Sequence, residues 1–284
     1  MKVLITGSNG FIGSYFKNKY SNVFNISCFS FLNDNLEELN MSNIDIVIHL
    51  SALVHQMGGA SEMEYDNINV VQTVLLAKKA KLNGVKHFIF MSTVKVYGEE
   101  SEVSYTENSI CKPVDDYGKS KLKAESCLQE LEENTFKVSI IRTPIVYGYG
   151  VKANIRNLVS LIDKTSFLPF LNINNKRSMV YIGNLCHLVI SIIERKAEGV
   201  FLASDNVAIS TTSLVELIAQ GIDKKIYLFK LPFFESVLKL LKPSFHKRLY
   251  ESLEVDNTNT RKKLNLTNPF SVEDGIKFML KGEK

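Results

Sequence analysis

Tryptophan is absent from these 284 residues, and proline (6), histidine (5) and cysteine (4) are scarce. The cysteines, Cys28, Cys111, Cys127 and Cys186, never fall in C-x-x-C spacing, and no two histidines stand at ligand spacing. A disulfide scaffold and a structural zinc site are thereby excluded, and the expectation is a reducing, cytoplasmic setting with no metal. No apolar run approaches the roughly eighteen residues of a membrane span. No basic stretch followed by an apolar core reads as a leader, so no membrane insertion is expected. An excess of one charge sign is also missing. Lys and Arg number 34 against 30 Asp and Glu, for a net +4. The basic residues look scattered, which makes nucleic acid or an anionic membrane a poor partner, and residues 242–248 and 261–263 read as solvated surface. Proline-, serine- or glycine-rich linkers, repeats and low-complexity tracts are lacking as well. Any second lobe should therefore pack on the first and not hang from a tether.

What is present is alternation. Short apolar strands at 3–5, 23–30, 44–50, 85–92 and 137–143 alternate with helical patterns at 11–20, 67–82 and 117–133. The third, "IDIVIHL", is apolar almost throughout, as a strand buried on both faces must be. Such β-α alternation implies an α/β fold: a Rossmann-type doubly wound parallel sheet with helices on both faces. Beyond residue 150 helical segments dominate, near 153–164, 183–195, 211–220, 233–241 and 272–280, with short strands near 178–182 and 199–203. The expected division is a dinucleotide-binding domain over 1–150 and a smaller, mostly helical substrate lobe over 151–284.

Three motifs carry chemistry. Gly7, Gly10 and Gly13 follow the first strand and open the first helix, the context a pyrophosphate-binding turn requires. Gly7 can take backbone angles closed to other residues. Gly10 lets the helix N-terminus, with its free N–H groups, approach an anion, and Gly13 is expected to let the helix pack closely on the sheet. Tyr117 and Lys121 form a Y-x-x-x-K, which a helix places on one face. A phenol titrates near 10, so a nearby ammonium would be needed to favour the phenolate. Tyr15 and Lys19 share the spacing but lie beside the glycine turn, where a structural role is expected. Ser92 and Thr93 end the fourth strand, on the sheet edge where open α/β folds bind ligands, and either hydroxyl could hold a substrate oxygen.

In that order, "TGSNGFIG", "VIHLSALVHQ", "MSTVKVYGE", "YGKSK", "RTPIVYG" and "RSMVYIGNL" resemble the extended short-chain dehydrogenase/reductases, and within them the NAD-dependent epimerase/dehydratase group acting on nucleotide sugars. The resemblance implies that Tyr117 is the catalytic acid/base, that Lys121 lowers its pKa and holds the nicotinamide ribose, and that Thr93 completes the triad. It further implies a pyrophosphate loop of Gly7, Ser8, Asn9, Gly10, Phe11, Ile12 and Gly13. Ser30, Leu50, Ser51, Ala52, Asn69 and Pro144 would also line the cofactor. His55, Tyr147, Asn154, Arg177 and Arg248 would face the sugar nucleotide, with Arg261 a further candidate. Two departures stand out. No acid ends the second strand, although Asp34 follows, which tilts toward NADP(H), while the lack of a base there leaves NAD or NADP open. Asn184 stands where many relatives carry Asp. The narrower likeness is to bacterial surface-polysaccharide enzymes. It implies reduction of a 4-keto UDP-N-acetyl-6-deoxyhexosamine, with a UDP-sugar 4-epimerase as the alternative and a non-enzymatic dinucleotide binder as the contrasting class. A dehydratase fits less well, because no acidic pair directly follows Thr93. A homodimer pairing the helices near 67–82 and 117–133 is expected.

Overall fold

The computed structural model describes residues 1–54 and 59–282. In chain order the elements are β1 (Lys2–Thr6), α1 (Phe11–Tyr20), β2 (Asn25–Phe29), β3 (Ile46–His49) and α2 (Glu62–Tyr65). One π turn (Asp66–Val71) joins α2 to α3 (Gln72–Leu82), and β4 (His87–Thr93), α4 (Asp116–Leu131), β5 (Lys137–Thr143) and β6 (Ile145–Tyr147) follow. Then come α5 (Ala153–Lys164), β7 (Phe167–Leu168), β8 (Met179–Tyr181), α6 (Ile182–Arg195), β9 (Gly199–Leu202) and α7 (Thr211–Gly221). The last are β10 (Tyr227–Leu228), α8 (Phe234–Leu241), α9 (Pro243–Tyr250), α10 (Thr258–Leu264) and α11 (Val272–Lys281).

Six strands form one parallel sheet in the order β2-β1-β3-β4-β5-β9. The chain winds outward from β1 to β2, returns to the other side of β1 at β3, and continues to β9. The β1/β3 boundary is thus the point where winding reverses and ligands bind beyond the strand ends. Both faces of the sheet are buried, which is why its strands lack polar alternation. Val3, Ile5, Ile48, Ile89 and Ile141 pack with Phe16 of α1 and Leu185 and Val189 of α6 on one side. Leu4, Val47, Phe88, Phe90 and Ile140 pack with Leu76 and Ala80 of α3 and Leu128 of α4 on the other. The strand at 199–202, which follows the excursion through β6, α5, β7 and β8, returns to this sheet as its sixth member. Helices α9 and α10 were not legible from periodicity: both are polar and short, and each buries only two residues.

Two buried histidines set the sheet's acid sensitivity. Thr73 Oγ1 donates to the Asn69 carbonyl (2.8 Å), so it must accept from His49 Nε2–H, also at 2.8 Å. That fixes the tautomer and makes His49 Nδ1 the acceptor of the Thr6 hydroxyl at 2.6 Å. Burial holds His49 neutral, its pKa lowered to about 3, and lowers His87 to about 4. The unfolded chain takes up these protons near pH 6.5, so the unfolded state binds more protons below that pH. Stability is therefore expected to fall as pH drops from 6.5 toward 4, by up to about 1.4 kcal/mol per pH unit per histidine. Urea titrations across that range should show a His49→Asn variant with a shallower slope, by about one proton.

Candidate active site

The glycine turn is built by close contact. Gly7 has φ +68°, and a Cβ there would lie 2.8 Å from the Ser51 backbone nitrogen. A Cβ on Gly13 would lie 2.3 Å from the Gly7 carbonyl oxygen and 2.8 Å from Ser8 Cα, so this glycine lets the loop fold back over the helix. That differs from the expected close packing of Gly13 on the sheet. The loop, not the sheet, is its near neighbour. The Gly10 N–H donates to the Gly7 carbonyl at 2.9 Å, closing the turn. No side chain caps α1 and no acid sits in its first turn. Ser8 is half-buried, Asn9 and Gly10 are exposed, and Phe11 and Ile12 pack partly on the core. The uncapped amides at this N-terminus can hold the pyrophosphate of a dinucleotide, so the residues present fit one.

Around this turn, Leu50, Ser51 and Ala52 leave β3 half-buried. Ser51 N–H donates to Thr6 Oγ1 at 3.2 Å, tying the two strand ends together at the switch point. Asn69, expected to contact the cofactor, is instead committed to the protein. Its side-chain oxygen accepts from Leu53 N–H (2.8 Å), and its amide donates to the Leu53 carbonyl and to Ser120 Oγ, both at 3.0 Å. With both amide donors engaged, it clips the loop after β3 to α4. Ser30 closes β2, and its N–H donates to the Asp34 carboxylate at 2.8 Å. An acid therefore does stand at the carboxyl end of β2, brought back by the turn that follows it. His55 lies outside the described residues.

Tyr117 opens α4. Asp115 caps the helix by accepting from Gly118 N–H at 2.8 Å, and it pairs with Lys95 from the loop after β4. A Cβ on Gly118 would lie 2.9 Å from the Lys95 carbonyl oxygen, so the helix start presses directly on that loop. This fixes Tyr117 against the end of β4. Its phenol pKa is pushed above the ordinary value by burial first, then by the nearby Asp115 charge and Tyr65. Lys121, one turn on, is 2% exposed with Nζ 4.2 Å from the Phe90 ring centroid. Burial lowers its pKa to about 7, against a smaller raising effect of Glu125. The expected lowering of the phenol by Lys121 is not found in the ligand-free protein: burial, Asp115 and Tyr65 all act to raise it, and the phenol rests neutral at pH 7. Thr93 is buried at the end of β4, and its Oγ1 accepts from Lys95 N–H at 3.2 Å. Ser92 is committed elsewhere, donating to Glu125. Of the two strand-end hydroxyls, Thr93 is the one whose proton remains available to hold an oxygen. Tyr15, the other tyrosine with a lysine four on, packs beside the core with Lys19 Nζ 5.7 Å from its ring centroid.

Beneath this edge lies a network that residue-type reasoning missed. Arg142 of β5 donates from Nε to both Glu125 oxygens at 3.2 Å, from Nη2 to Glu125 Oε2 at 2.6 Å, and from Nη1 to Tyr97 Oη at 2.7 Å. Both charged side chains are almost wholly buried, at 7% and 2% exposure. The signal was an arginine inside the apolar strand "KVSIIRT", whose charge requires a buried partner.

The remaining substrate candidates divide. Pro144 is buried just past β5. Tyr147 is fully buried in β6 and donates to Asp205 Oδ2 at 2.7 Å, so it belongs to the core and not to a ligand surface. The strand it sits in pairs with β8, a long-range contact that turns the ring inward. Asn184 donates to the same Asp205 at 2.8 Å and accepts from Phe270 N–H at 3.1 Å. An Asp at 184 would set a second carboxylate against Asp205, so asparagine suits this setting. Asn154, Arg177 and Arg248 do come together. They line a cavity of about 510 Å³ among α5, α7 and α9, which Ile145, Phe170 and Leu214 make largely apolar. Arg248 Nη1 donates to Asn154 Oδ1 at 3.0 Å, and Arg177 Nη1 to the Glu251 carbonyl at 3.3 Å. Burial and the neighbouring Arg248 charge lower the Arg177 pKa. Two guanidiniums converging on one cavity can hold a diphosphate. Arg261 lies in the last turn of α10, and its backbone carbonyl accepts the capping N–H of Asn265.

The family model for the NAD dependent epimerase/dehydratase family matches residues 29–203. A UDP-glucose 4-epimerase of Vibrio cholerae is 39% identical over 256 residues, covering 84% of this chain and 77% of that protein. An N-acetyl-alpha-D-glucosaminyl-diphospho-ditrans,octacis-undecaprenol 4-epimerase of Escherichia coli O157:H7 is 30% identical over 199 residues, covering 68% of this chain and 59% of its own length. In structure, the UDP-glucuronic acid 4-epimerase of Bacillus cereus in complex with NAD has a TM-score of 0.79, 20% identity, and coverage of 99% of this chain and 98% of that one. At that identity the likeness is one of fold.

Proposed function

The chain belongs to the NAD-dependent epimerase/dehydratase family, and from that premise we propose that it interconverts the C4 epimers of a UDP-linked hexose. One observation carries the reading: Tyr117 and Lys121 stand one turn apart on α4, against the strand end that carries Thr93 and on the sheet edge of the glycine turn. The likeness to the Vibrio enzyme supports C4 of a UDP-hexose as the reacting position. The 4-keto reductase suggested first by the motifs uses the same residues, but both sequence relatives described above are 4-epimerases.

In this reading the six-stranded sheet and its covering helices, which take in α6 and β9 from beyond residue 150, hold the dinucleotide, and the remainder of 151–284 the sugar nucleotide. The turn from Gly7 to Gly13 and the α1 N-terminus take the pyrophosphate, and Lys121 takes the nicotinamide ribose. Asp34 at the end of β2 suits a ribose bearing free hydroxyls, which supports NAD over NADP. When bound, NAD supplies a hydride acceptor and a positive nicotinamide ring. Beside that positive ring the Tyr117 phenol would ionise, and as the phenolate it would take the proton from the sugar O4 during oxidation and return it during reduction. Thr93 hydrogen-bonds the same oxygen and holds it at the phenol. Pro144 and the apolar strand ends keep water from that proton. Arg177 and Arg248 clamp the diphosphate while the sugar presents either face.

Arg177→Ala is expected to raise KM for UDP-glucose roughly tenfold or more with kcat little changed, because the clamp acts alike on ground and transition states. Steady-state kinetics would check this. The cofactor itself is tested by mass spectrometry of the purified protein. Retained NAD is the expected result, whereas a protein that only exchanges NADPH reversibly supports the reductase.

A second reading concerns the carrier. The cavity wall at residues 242–245 runs on into an exposed apolar helix, and the E. coli relative's name specifies an undecaprenol-linked sugar. A hexose on a polyprenyl diphosphate would present the same diphosphate to Arg177 and Arg248. Val71 and Leu75, exposed on the outer side of the π turn and α3, support the pairing of two copies there.

A further inference from the structure

Helix α8 buries none of its residues completely. Phe234 and Leu238, four apart, pack partly on the core. Phe233, Val237, Leu240 and Leu241 form a second apolar stripe that faces outward. Phe233 is 82% exposed, Leu240 80% and Leu241 71%. On a helical wheel these four fall within about a third of a turn, edged by Ser236 on one side and by the half-buried Phe234 and Leu238 on the other, with Lys239 further round beyond Ser236. Phe233, at the N-cap, holds φ +62°, a left-handed backbone that a bulky side chain rarely adopts. An aromatic ring thus stands in solvent on a strained backbone.

The charge of this stretch of sequence is one-sided as well, although Lys247 is paired with Glu99 and Glu100. Residues 224–250 contain seven Lys and Arg and one acid, Glu235, so this segment carries +6 and the rest of the chain −2. The near-balance of charge over the whole chain hides this concentration. Lys225, Lys230, Lys239 and Lys242, on α8 or close to it in sequence, are exposed. We propose that α8 docks this chain on the surface of an anionic lipid bilayer, the apolar stripe entering the interface and the lysines meeting lipid phosphates. Apolar and aromatic side chains bordered by lysine are the composition of interfacial helices that lie on a membrane without crossing it. A second copy of the chain is the weaker occupant, because a two-fold interface would set the exposed lysines of this segment against their own copies. The same corner, through Lys242 and Phe245, lines the cavity of Arg177 and Arg248, so docking places the diphosphate site at the interface. The proposal stands on this surface and not on either reading of the reaction.

The test is co-sedimentation of the full chain with vesicles of phosphatidylethanolamine and phosphatidylglycerol, against neutral phosphatidylcholine vesicles. Binding to the anionic vesicles, weakened by salt, is expected. Leu240→Glu with Leu241→Glu should reduce it roughly tenfold or more, while turnover of soluble UDP-glucose stays at the parent level. Phe233→Gly relieves the left-handed strain, so it should lower vesicle binding while raising the melting temperature, a split that a packing role would not produce. Equal sedimentation of parent and variants, or none by either, overturns the proposal. A dimer in light scattering that the double variant dissolves, without vesicle binding, assigns the face to a second copy and overturns it too.

Discussion

Replacing Tyr117 by Phe is expected to lower kcat by ~10²–10⁴-fold, with the melting temperature and any retained NAD unchanged. The ring fills the same space in either residue, and its contact with Tyr65, at 6.3 Å between centroids, does not need the hydroxyl. Only the proton is removed. Burial and the Asp115 charge keep that proton on the phenol in the absence of ligand, and the charge of the nicotinamide ring would favour the phenolate that accepts the O4 proton. Thr93 can hold the oxygen but does not deliver a proton at the same cost, since an aliphatic hydroxyl is a far weaker acid than a phenol. An equal fall in kcat and kcat/KM would mark the loss as one made only in the transition state. A fall in KM or in melting temperature of comparable size would show that the hydroxyl serves binding or folding.

Glu125→Ala should cost about 3–5 kcal/mol of stability. It strips Arg142 of a bidentate partner in a site where the guanidinium is 7% exposed. It also leaves Ser92 without its acceptor and removes the carboxylate that partly sustains the charge of Lys121. Urea denaturation would read the loss. Arg142→Ala should cost a similar amount, and the double replacement Glu125→Leu with Arg142→Met should recover much of it, because no buried charge is then left alone. If the double variant is as unstable as the sum of the singles, the network is not a mutually dependent pair. Burial of Lys121 acts in the opposite sense. Its folded pKa near 7 lies below its unfolded one, so the cost of holding it charged is full below pH 7 and is relieved as pH rises toward 10.

Much of the sheet was legible because local signals and tertiary structure agree there. Apolar strands without alternation, the Gly7–Gly13 spacing and the four-residue step from Tyr117 to Lys121 are all short-range patterns, and the fold honours them. Whatever depends on a partner distant in the chain was not legible. Arg142 and Glu125 are separated by 17 residues, and only the packing of α4 on β4 and β5 brings them together. Tyr147 reads as a loop residue after β5 until pairing with β8 turns it inward. Asn69 carries the right chemistry for a cofactor contact, but the loop after β3 takes both its donors. Asp34 lies past the end of β2 in sequence and beside it in space. The α8 stripe fails for a different reason. Apolar residues at helical spacing normally face a core, and nothing in residues 233–241 distinguishes an inward stripe from an outward one.

The most direct test of the central claim is conversion of UDP-glucose by the purified wild-type protein and its Tyr117→Phe variant, followed by NMR of the C4 proton. The expected result is a mixture of UDP-glucose and UDP-galactose formed by the wild type without consumption of added dinucleotide, and unchanged UDP-glucose with the variant. One-for-one oxidation of NADPH with a 4-keto sugar and no epimerisation, or equal conversion by both proteins, would contradict it.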